Sequence, residues 1–173
     1  MLERTDNRFF AAVAIAIVVV LFVSNRRDGL RHGPGAEPEI MSVATNDAEM
    51  NGAMTTARES VQTFLQALES PDESRSYLSI KVGFHDENGT EFMWLDDIHH
   101  NEGTFSGTVA NTPETVTSVC FGDQVTIPDN QIADWMFIDN GKLVGGYTLR
   151  VMRSHLSPEE RKEFDKNIAF TIE

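Results

Sequence analysis

Residues 132–152 read IADWMFIDNGKLVGGYTLRVM, and this stretch decides the fold. Asn140-Gly141 lies between two runs rich in β-branched and aromatic residues. Such a pair favours a type I′ turn, because both central residues of that turn need positive φ. A two-residue loop at this point predicts the register of a hairpin: Asp139 faces Lys142, Phe137 faces Val144, Trp135 faces Gly146 and Asp134 faces Tyr147. The stretch therefore predicts an antiparallel hairpin in which an indole ring covers a bare glycine.

A second Asn-Gly pair, Asn88-Gly89, predicts another hairpin upstream. The runs on either side, YLSIKVGFH and TEFMWLDDI, have a period of two. With Asn88-Gly89 as the loop, the predicted partners are Phe84 with Met93, Gly83 with Trp94, Val82 with Leu95 and Lys81 with Asp96. Both tryptophans of the chain are then opposite glycine, which we interpret as packing, with a shared aromatic surface as the alternative.

Helical periodicity lies on both sides of these strands. Behind a capping pattern at Asn46, apolar residues recur at three- and four-residue steps as far as Leu68, which indicates an amphipathic helix of about six turns. Short strands are predicted at 104–110 and 123–127, and Ser157-Pro158 favours the start of a helix over 158–166. The predicted fold is α+β: an N-terminal amphipathic helix packed on a curved antiparallel sheet or small open barrel of about six strands, with a short C-terminal helix.

An unbroken apolar run from Phe9 to Val23 precedes this domain, and arginines flank it on both sides. At about 1.5 Å rise per residue the run is shorter than a hydrocarbon layer of roughly 30 Å, although snorkelling arginines can make up the difference. No pair of small residues typical of signal cleavage follows closely. We expect an uncleaved single-pass transmembrane anchor over residues 9–24, with export after signal cleavage as the alternative.

The flanks of this segment complete the predicted organisation. Residues 1–8 form a short flank, and residues 25–46, rich in glycine, proline and small polar residues, form a linker to the domain. Two arginines and the α-amino group precede the apolar run, and three arginines follow it. Because the positive charge is nearly equal on the two sides, the sequence does not determine on which side of the membrane the domain lies.

The charge of the chain restricts its partners. The formal net charge is -13, and because residues 1–31 hold five arginines against three acids, residues 32–173 alone carry a net charge of -15. Such a body repels phosphate backbones, so we expect no nucleic-acid partner, whereas a membrane and a protein or peptide partner are compatible with it. Cys120 is the one cysteine, which excludes an intrachain disulfide, and its apolar neighbours predict a small buried residue.

Two hypotheses about function follow. The first is a non-catalytic, membrane-tethered binding module without a cofactor, which presents Trp94, Trp135 and Tyr147 to a partner; Asp134 joins them as a binding candidate or as an acceptor for backbone N–H groups or the Tyr147 hydroxyl. The alternative is a small metal-dependent or acid-base hydrolase that uses the cluster from Asp96 to His100. Its metal ligands would be the adjacent His99 and His100, although neighbouring residues of a strand point to opposite faces.

Six segments together resemble one bacterial family in their order and spacing. They are MNGAMTTARESVQTFLQAL (50–68), FMWL (92–95), GTVANTP (107–113), GDQV (122–125), DWMFIDNGKLVGGYTLR (134–150) and SPEERKEFD (157–165). Over residues 47–166 the chain resembles the DUF2314 family, which includes the small YegJ-like proteins, and residues 167–173 are left as a tail. Since this is a domain of unknown function, the resemblance implies a bacterial source and a compact domain but assigns no catalytic residue.

Overall fold

The computed structural model describes residues 39–173, with side chains from residue 48 onward. The helices are α1 (Glu39–Glu59), α2 (Val61–Glu69), α3 (Tyr147–Ser154) and α4 (Pro158–Asn167), with a short 3-10 turn at Asp129–Gln131. The strands are β1 (Arg75–Asp86), β2 (Gly89–Asn101), β3 (Thr104–Val109), β4 (Gln124–Pro128), β5 (Ile132–Asp139) and β6 (Lys142–Gly145).

The six strands form one open antiparallel sheet in the order β4-β3-β2-β1-β5-β6. All five ladders are antiparallel, and β5 lies beside β1 although three strands separate them along the chain. The predicted α+β class with six antiparallel strands is therefore confirmed. Of the two arrangements that the sequence left open, a curved sheet or a small open barrel, the described strands form an open sheet.

Both faces of the central strands are covered. Helices α1 and α2 pack on one face, where Phe64 contacts a cluster that includes Phe105 and Trp135. On the other face, Met136 and Ile138 of β5 pack with Leu149 of α3, Phe164 of α4 and Phe170. Neighbouring side chains of β5 point to opposite faces, so this strand is buried along almost its whole length. Because Phe170 is buried, the residues predicted as a tail belong to the packed domain.

The hairpin at Asn140-Gly141 has the predicted turn, with φ of 48° and 77°, and Asp139 pairs with Lys142 as expected. Strand β6 nevertheless ends at Gly145, and the predicted strand beyond it is wrong, because α3 begins at Tyr147. Gly145 and Gly146 both have positive φ, which turns the chain out of the sheet. The predicted pairing of Asp134 with Tyr147 in a ladder is therefore wrong as well.

The indole of Trp135 covers Gly145 instead of Gly146. A Cβ added at Gly145 would collide with the Trp135 carbonyl and lie 2.6 Å from its ring, whereas at Gly146 it would meet the Leu143 side chain. The Gly146 N–H donates a hydrogen bond of 2.8 Å to the Trp135 carbonyl. A glycine does lie under the tryptophan ring, as predicted, but it is Gly145, one residue before the predicted Gly146.

The hairpin between β1 and β2 has a register two residues away from the predicted one. Asp86 pairs with Gly89, so the loop is Glu87-Asn88, and Lys81 faces Trp94 while Gly83 faces Phe92. The predicted pairing of Gly83 with Trp94 is wrong. The Asp86 carboxylate accepts the Asn88 N–H at 2.8 Å, which fixes the start of the turn. Since the shift is an even number, every side chain keeps its predicted face.

Two further expectations differ from the structure. The single predicted helix is interrupted at Ser60, whose hydroxyl donates to the Thr56 carbonyl at 2.6 Å, and α1 begins at Glu39, inside the predicted linker. Cys120 is exposed, not buried, because it lies in the loop between β3 and β4, where its N–H donates to the Asp123 carboxylate.

No helix within the described residues is long and apolar enough to cross a bilayer. The anchor predicted over residues 9–24 lies outside the described residues.

The contact between Trp135 and Gly145 gives a stability prediction. Gly145→Ala should destabilise the fold by roughly 2–5 kcal/mol, because it combines a collision with the Trp135 backbone and ring with a positive φ. Gly141→Ala is the matched control, since Gly141 also has positive φ but an added Cβ meets nothing within 4 Å, so only roughly 1–2 kcal/mol should be lost. Urea unfolding measures both. Equal losses would show that the ring contact does not constrain this position.

Candidate functional site

A row of three side chains crosses the middle of the sheet on the face that α3 covers. Trp94, Lys81 and Asp134 are register partners on β2, β1 and β5. The Lys81 ammonium lies 5.5 Å from the centre of the Trp94 ring and 3.4 Å from the Thr148 hydroxyl oxygen. Opposite charges, an aromatic face and a hydroxyl group are therefore collected beneath the start of α3.

Asp134 is fully buried, and its carboxylate accepts four hydrogen bonds. Oδ1 accepts from the N–H groups of Trp135 at 2.8 Å and Tyr147 at 3.1 Å. Oδ2 accepts from the N–H and the hydroxyl of Thr148, both at 2.7 Å. The predicted role of Asp134 as an acceptor for backbone N–H groups is confirmed, and the donor at Tyr147 is its N–H group. A carboxylate at the first turn of α3 also lies at the favourable end of the helix dipole.

Burial acts on the two charged groups in opposite directions. It raises the pKa of the Asp134 carboxyl above its ordinary value, and the hydrogen bonds from Thr148 and Trp135 and the charge of Lys81 act against that rise. It lowers the pKa of the Lys81 ammonium, and the Asp134 charge opposes this. Each group thus favours the charged form of the other, while the surrounding protein disfavours both charges.

The four residues predicted to bind a partner lie mostly in the core. Relative exposure is 0% for Asp134, 1% for Trp135 and 4% for Trp94. The indole N–H of Trp135 donates to the Ala57 carbonyl at 2.8 Å, and the Tyr147 ring meets the Trp135 ring edge-on at 5.7 Å. In this conformation the tryptophans and Asp134 present no surface to a partner, and packing accounts for their positions.

A cleft opens where β1 and β2 diverge. Their ladder ends at the pair Ile80 and Leu95, although β1 begins at Arg75 and β2 continues to Asn101. The first residues of β1 pair only with β5, and the last residues of β2 pair only with β3. The wedge between them, closed from one side by the end of α2, has a volume of about 670 Å³. We call this space the forked cleft.

The forked cleft has apolar and ionisable walls. Its apolar part comes from α2 and the two strands: Ala67, Leu68, Leu78 and Ile98. Its ionisable side chains are Asp72, Arg75, Asp96, Asp97 and His99, and Tyr77 also lines it. At the inner end, where the strands still meet, the buried Ser79 hydroxyl donates to the Asp96 carboxylate at 2.6 Å. This contact links the two strands at the point where they separate.

The backbone is unusual on both sides of the fork. Tyr77 has φ of 55° and Asp97 has φ of 52°, and each lies within a register shift of its strand. Extra residues of this kind are β-bulges, which bend a strand and re-aim its side chains. A left-handed conformation at a residue other than glycine costs roughly 1–3 kcal/mol and is found more often at functional sites.

Several polar groups of the forked cleft have structural partners. The Asp72 carboxylate accepts the N–H and the hydroxyl of Ser74, both at 2.8 Å, and these bonds lower the pKa of Asp72. The Arg75 guanidinium donates to the Ser70 carbonyl at 3.2 Å, and its Nε lies 3.7 Å from the Asp139 carboxylate. These bonds fix the rim of the cleft in place.

The histidines of the alternative hypothesis do not converge. His100 Nε2 lies 3.0 Å from both carboxylate oxygens of Asp129, and its ring packs 4.6 Å from that of Phe105. His99 is exposed and lines the forked cleft. Among the residues with described side chains, no group of three or more His, Cys, Asp or Glu could hold a metal ion.

Two acidic residues of the first hairpin, Asp86 and Glu91, have a structural role. The Glu91 carboxylate accepts the N–H groups of Glu114, Thr115 and Val116, and the Asp86 carboxylate accepts those of Thr117 and Ser118. These two carboxylates hold the loop that follows β3 against the hairpin. These hydrogen bonds account for the positions of both acids.

Comparison with known proteins identifies the family. The family model described as an uncharacterized protein conserved in bacteria, DUF2314, matches residues 47–172. The chain belongs to the DUF2314 family. The match includes residues 167–172, in agreement with the packing of Phe170.

Two relatives of this DUF2314 protein place it among bacterial sequences. It is 34% identical over 134 residues to the putative ankyrin repeat protein NMB1133/NMB1171 of Neisseria meningitidis serogroup B. That alignment covers 73% of this chain and 53% of the relative. It is also 31% identical over 114 residues to the uncharacterized protein YegJ of Escherichia coli, and this second alignment covers 66% of this chain and 73% of the relative. The chain thus spans about half the length of the Neisseria protein. No solved structure matches it.

The Lys81 environment predicts a pH dependence. Folding lowers the pKa of Lys81 from its ordinary value of 10.5. At pH values between the folded-state pKa and 10.5, Lys81 is therefore protonated in the unfolded chain and deprotonated in the folded chain. The stability of the wild type relative to Lys81→Met should therefore rise with pH through that window and be lowest below it. Urea unfolding at several pH values from about 7 to about 10 measures the difference. A difference that stays constant with pH would contradict this environment for Lys81.

Proposed function

We propose that this DUF2314 protein is a non-catalytic binding module, tethered to a membrane through residues 9–24, and that its binding site is the forked cleft. The observation that carries the proposal is the divergence of β1 from β2, which opens a lined cavity in the middle of an otherwise continuous sheet. In this proposal the forked cleft, and not the buried tryptophans, is the surface that contacts a partner.

The size and lining of the forked cleft support binding. Its volume of about 670 Å³ falls within the usual range of ligand sites, roughly 300–1,000 Å³. Such sites combine apolar walls with a few placed polar groups. Leu68, Leu78 and Ile98 supply the apolar walls, and Asp97 and His99 supply exposed polar groups at the rim. The bulges at Tyr77 and Asp97 keep the two strands apart.

The arrangement of polar groups favours binding over catalysis. Asp72 is bonded to Ser74, and Asp96 to Ser79. The buried carboxylate of Asp134 receives four donors, three of which belong to Tyr147 and Thr148 and hold α3 in place. The alternative, a hydrolase that uses residues 96–100, would need His99 and His100 on one ion or substrate, whereas His100 is held by Asp129. We therefore do not favour it.

The membrane tether is supported by the sequence. The apolar run from Phe9 to Val23 has arginines on both sides, and a glycine- and proline-containing segment follows before the domain. The DUF2314 region also occurs within a relative about twice as long as the matched part, which fits a module joined to different segments.

Fractionation tests the tether. The full chain should sediment with membranes, resist extraction by high salt and alkaline carbonate, and dissolve in detergent, because an apolar segment holds it there. Deletion of residues 9–24 should move the chain to the soluble fraction. A full chain that is soluble without detergent would refute the anchor, and a mature N-terminus near Ala36 found by mass spectrometry would instead establish signal cleavage.

Site-specific photocrosslinking in cells tests the forked cleft. p-Benzoylphenylalanine in place of Ser76 or His99, which are exposed residues of the cleft, should give a discrete adduct with a partner. The same amino acid in place of Glu159, an exposed residue of α4, is the matched control and should give none. Adducts of equal yield at all three positions, or adducts at Glu159 alone, would refute the forked cleft as the binding site.

A further inference from the structure

We infer that the forked cleft accepts a basic, extended peptide segment, in which apolar side chains alternate with arginine or lysine. This inference rests on the proposed function, since it names the class of partner that the same site would take. Three features of the molecule support it: the charge at the rim, the shape of the walls and the charge of the whole domain.

Acidic side chains outnumber basic ones around the forked cleft. Asp72, Asp96 and Asp97 line it, whereas Arg75 is the one lysine or arginine among the described residues that line it. The Arg75 guanidinium is directed at the Ser70 carbonyl and the Asp139 carboxylate, so much of its charge is already compensated. Hydrogen bonds from Ser74 lower the pKa of Asp72, which keeps that carboxylate ionised near neutral pH. The rim therefore carries net negative charge.

The walls of the forked cleft fit an extended chain. The part of β1 that pairs with β5 but not with β2 spans residues 75–79, which at about 3.3 Å per residue is roughly 17 Å, the length of a five-residue strand. Side chains of such a segment alternate in direction. One set can contact Leu68, Leu78 and Ile98, and the other can reach the carboxylates at the rim.

The charge of the domain argues against other occupants. Residues 32–173 carry a net charge of -15, which repels nucleic acids and anionic lipid headgroups. A second copy of the chain brings the same charge and is repelled as well. A basic segment is attracted at long range and then makes contacts at the rim, which is the usual effect of complementary charge on association.

Fluorescence anisotropy with two labelled peptides tests the inference on the full chain in a mild detergent. One peptide alternates leucine with arginine over six residues, and the other has glutamate in place of each arginine. The basic peptide should bind, and its affinity should fall as salt is added, because exposed charge pairs are screened. The acidic peptide should not bind measurably.

A double variant locates the site. Asp72→Asn/Asp97→Asn removes two charges at the rim, and asparagine can still accept the Ser74 N–H at position 72 and tolerates the positive φ at position 97. It should bind the basic peptide about tenfold more weakly, since each exposed pair contributes up to about a factor of five. Glu87→Gln/Glu159→Gln removes the same charge from exposed positions elsewhere and should bind within about twofold of wild type. Thermal unfolding checks that both variants are folded.

The outcomes separate this inference from the proposed function. Equal weakening in both double variants, or no binding of the basic peptide, would overturn the basic segment as the occupant. Tighter binding of the acidic peptide, weakened by further changes in the cleft, would overturn it too while leaving the forked cleft as a binding site. Failure of crosslinking at Ser76 and His99 would instead refute the site itself.

Discussion

The arrangement of the domain depends on one buried carboxylate. Asp134 accepts four hydrogen bonds, three of them from backbone N–H groups, and the donors at Tyr147 and Thr148 belong to the first turn of α3. A buried carboxylate is tolerated only where donors and an opposite charge compensate its lost hydration. The chain must therefore leave the sheet after Gly145 and start a helix at Tyr147, because a continuing strand would not bring these N–H groups to the carboxylate.

The same requirement shapes the neighbouring strands. Lys81 faces Asp134 across the β1–β5 ladder and Trp94 across the β1–β2 ladder, so the sheet is tied together at this row. Beyond it, the Ser79 hydroxyl donates to the Asp96 carboxylate, and from there β1 follows β5 and β2 follows β3. The forked cleft is thus a consequence of two bulges placed directly after a strongly held part of the sheet.

Local sequence signals predicted the local structure, and contacts between distant residues decided the rest. Asn140-Gly141 predicted its turn because the signal and the turn involve the same residues. Asn88-Gly89 gave a register two residues away from the real one, since Asp86 is held by Thr117 and Ser118, about thirty residues further along. Helix α3 was missed because Tyr147, Thr148 and Val151 favour strands and follow a strong hairpin signal, although two adjacent glycines were a usable signal. The fork could not be predicted, because Tyr77 and Asp97 adopt positive φ without a glycine to indicate it.

Charge serves two separate purposes in this domain. The buried Asp134 carboxylate is stabilised by four hydrogen-bond donors and by the charge of Lys81, and removing the partners of a buried charge costs roughly 3–5 kcal/mol. Asp97 lies exposed at the rim of the forked cleft, where substitutions usually change stability less than they do in the core. Because exposed charges usually contribute less to folding than buried ones, the charge of the rim can change while the row beneath α3 stays intact. A fold of this kind can therefore keep its structure and still acquire a different partner.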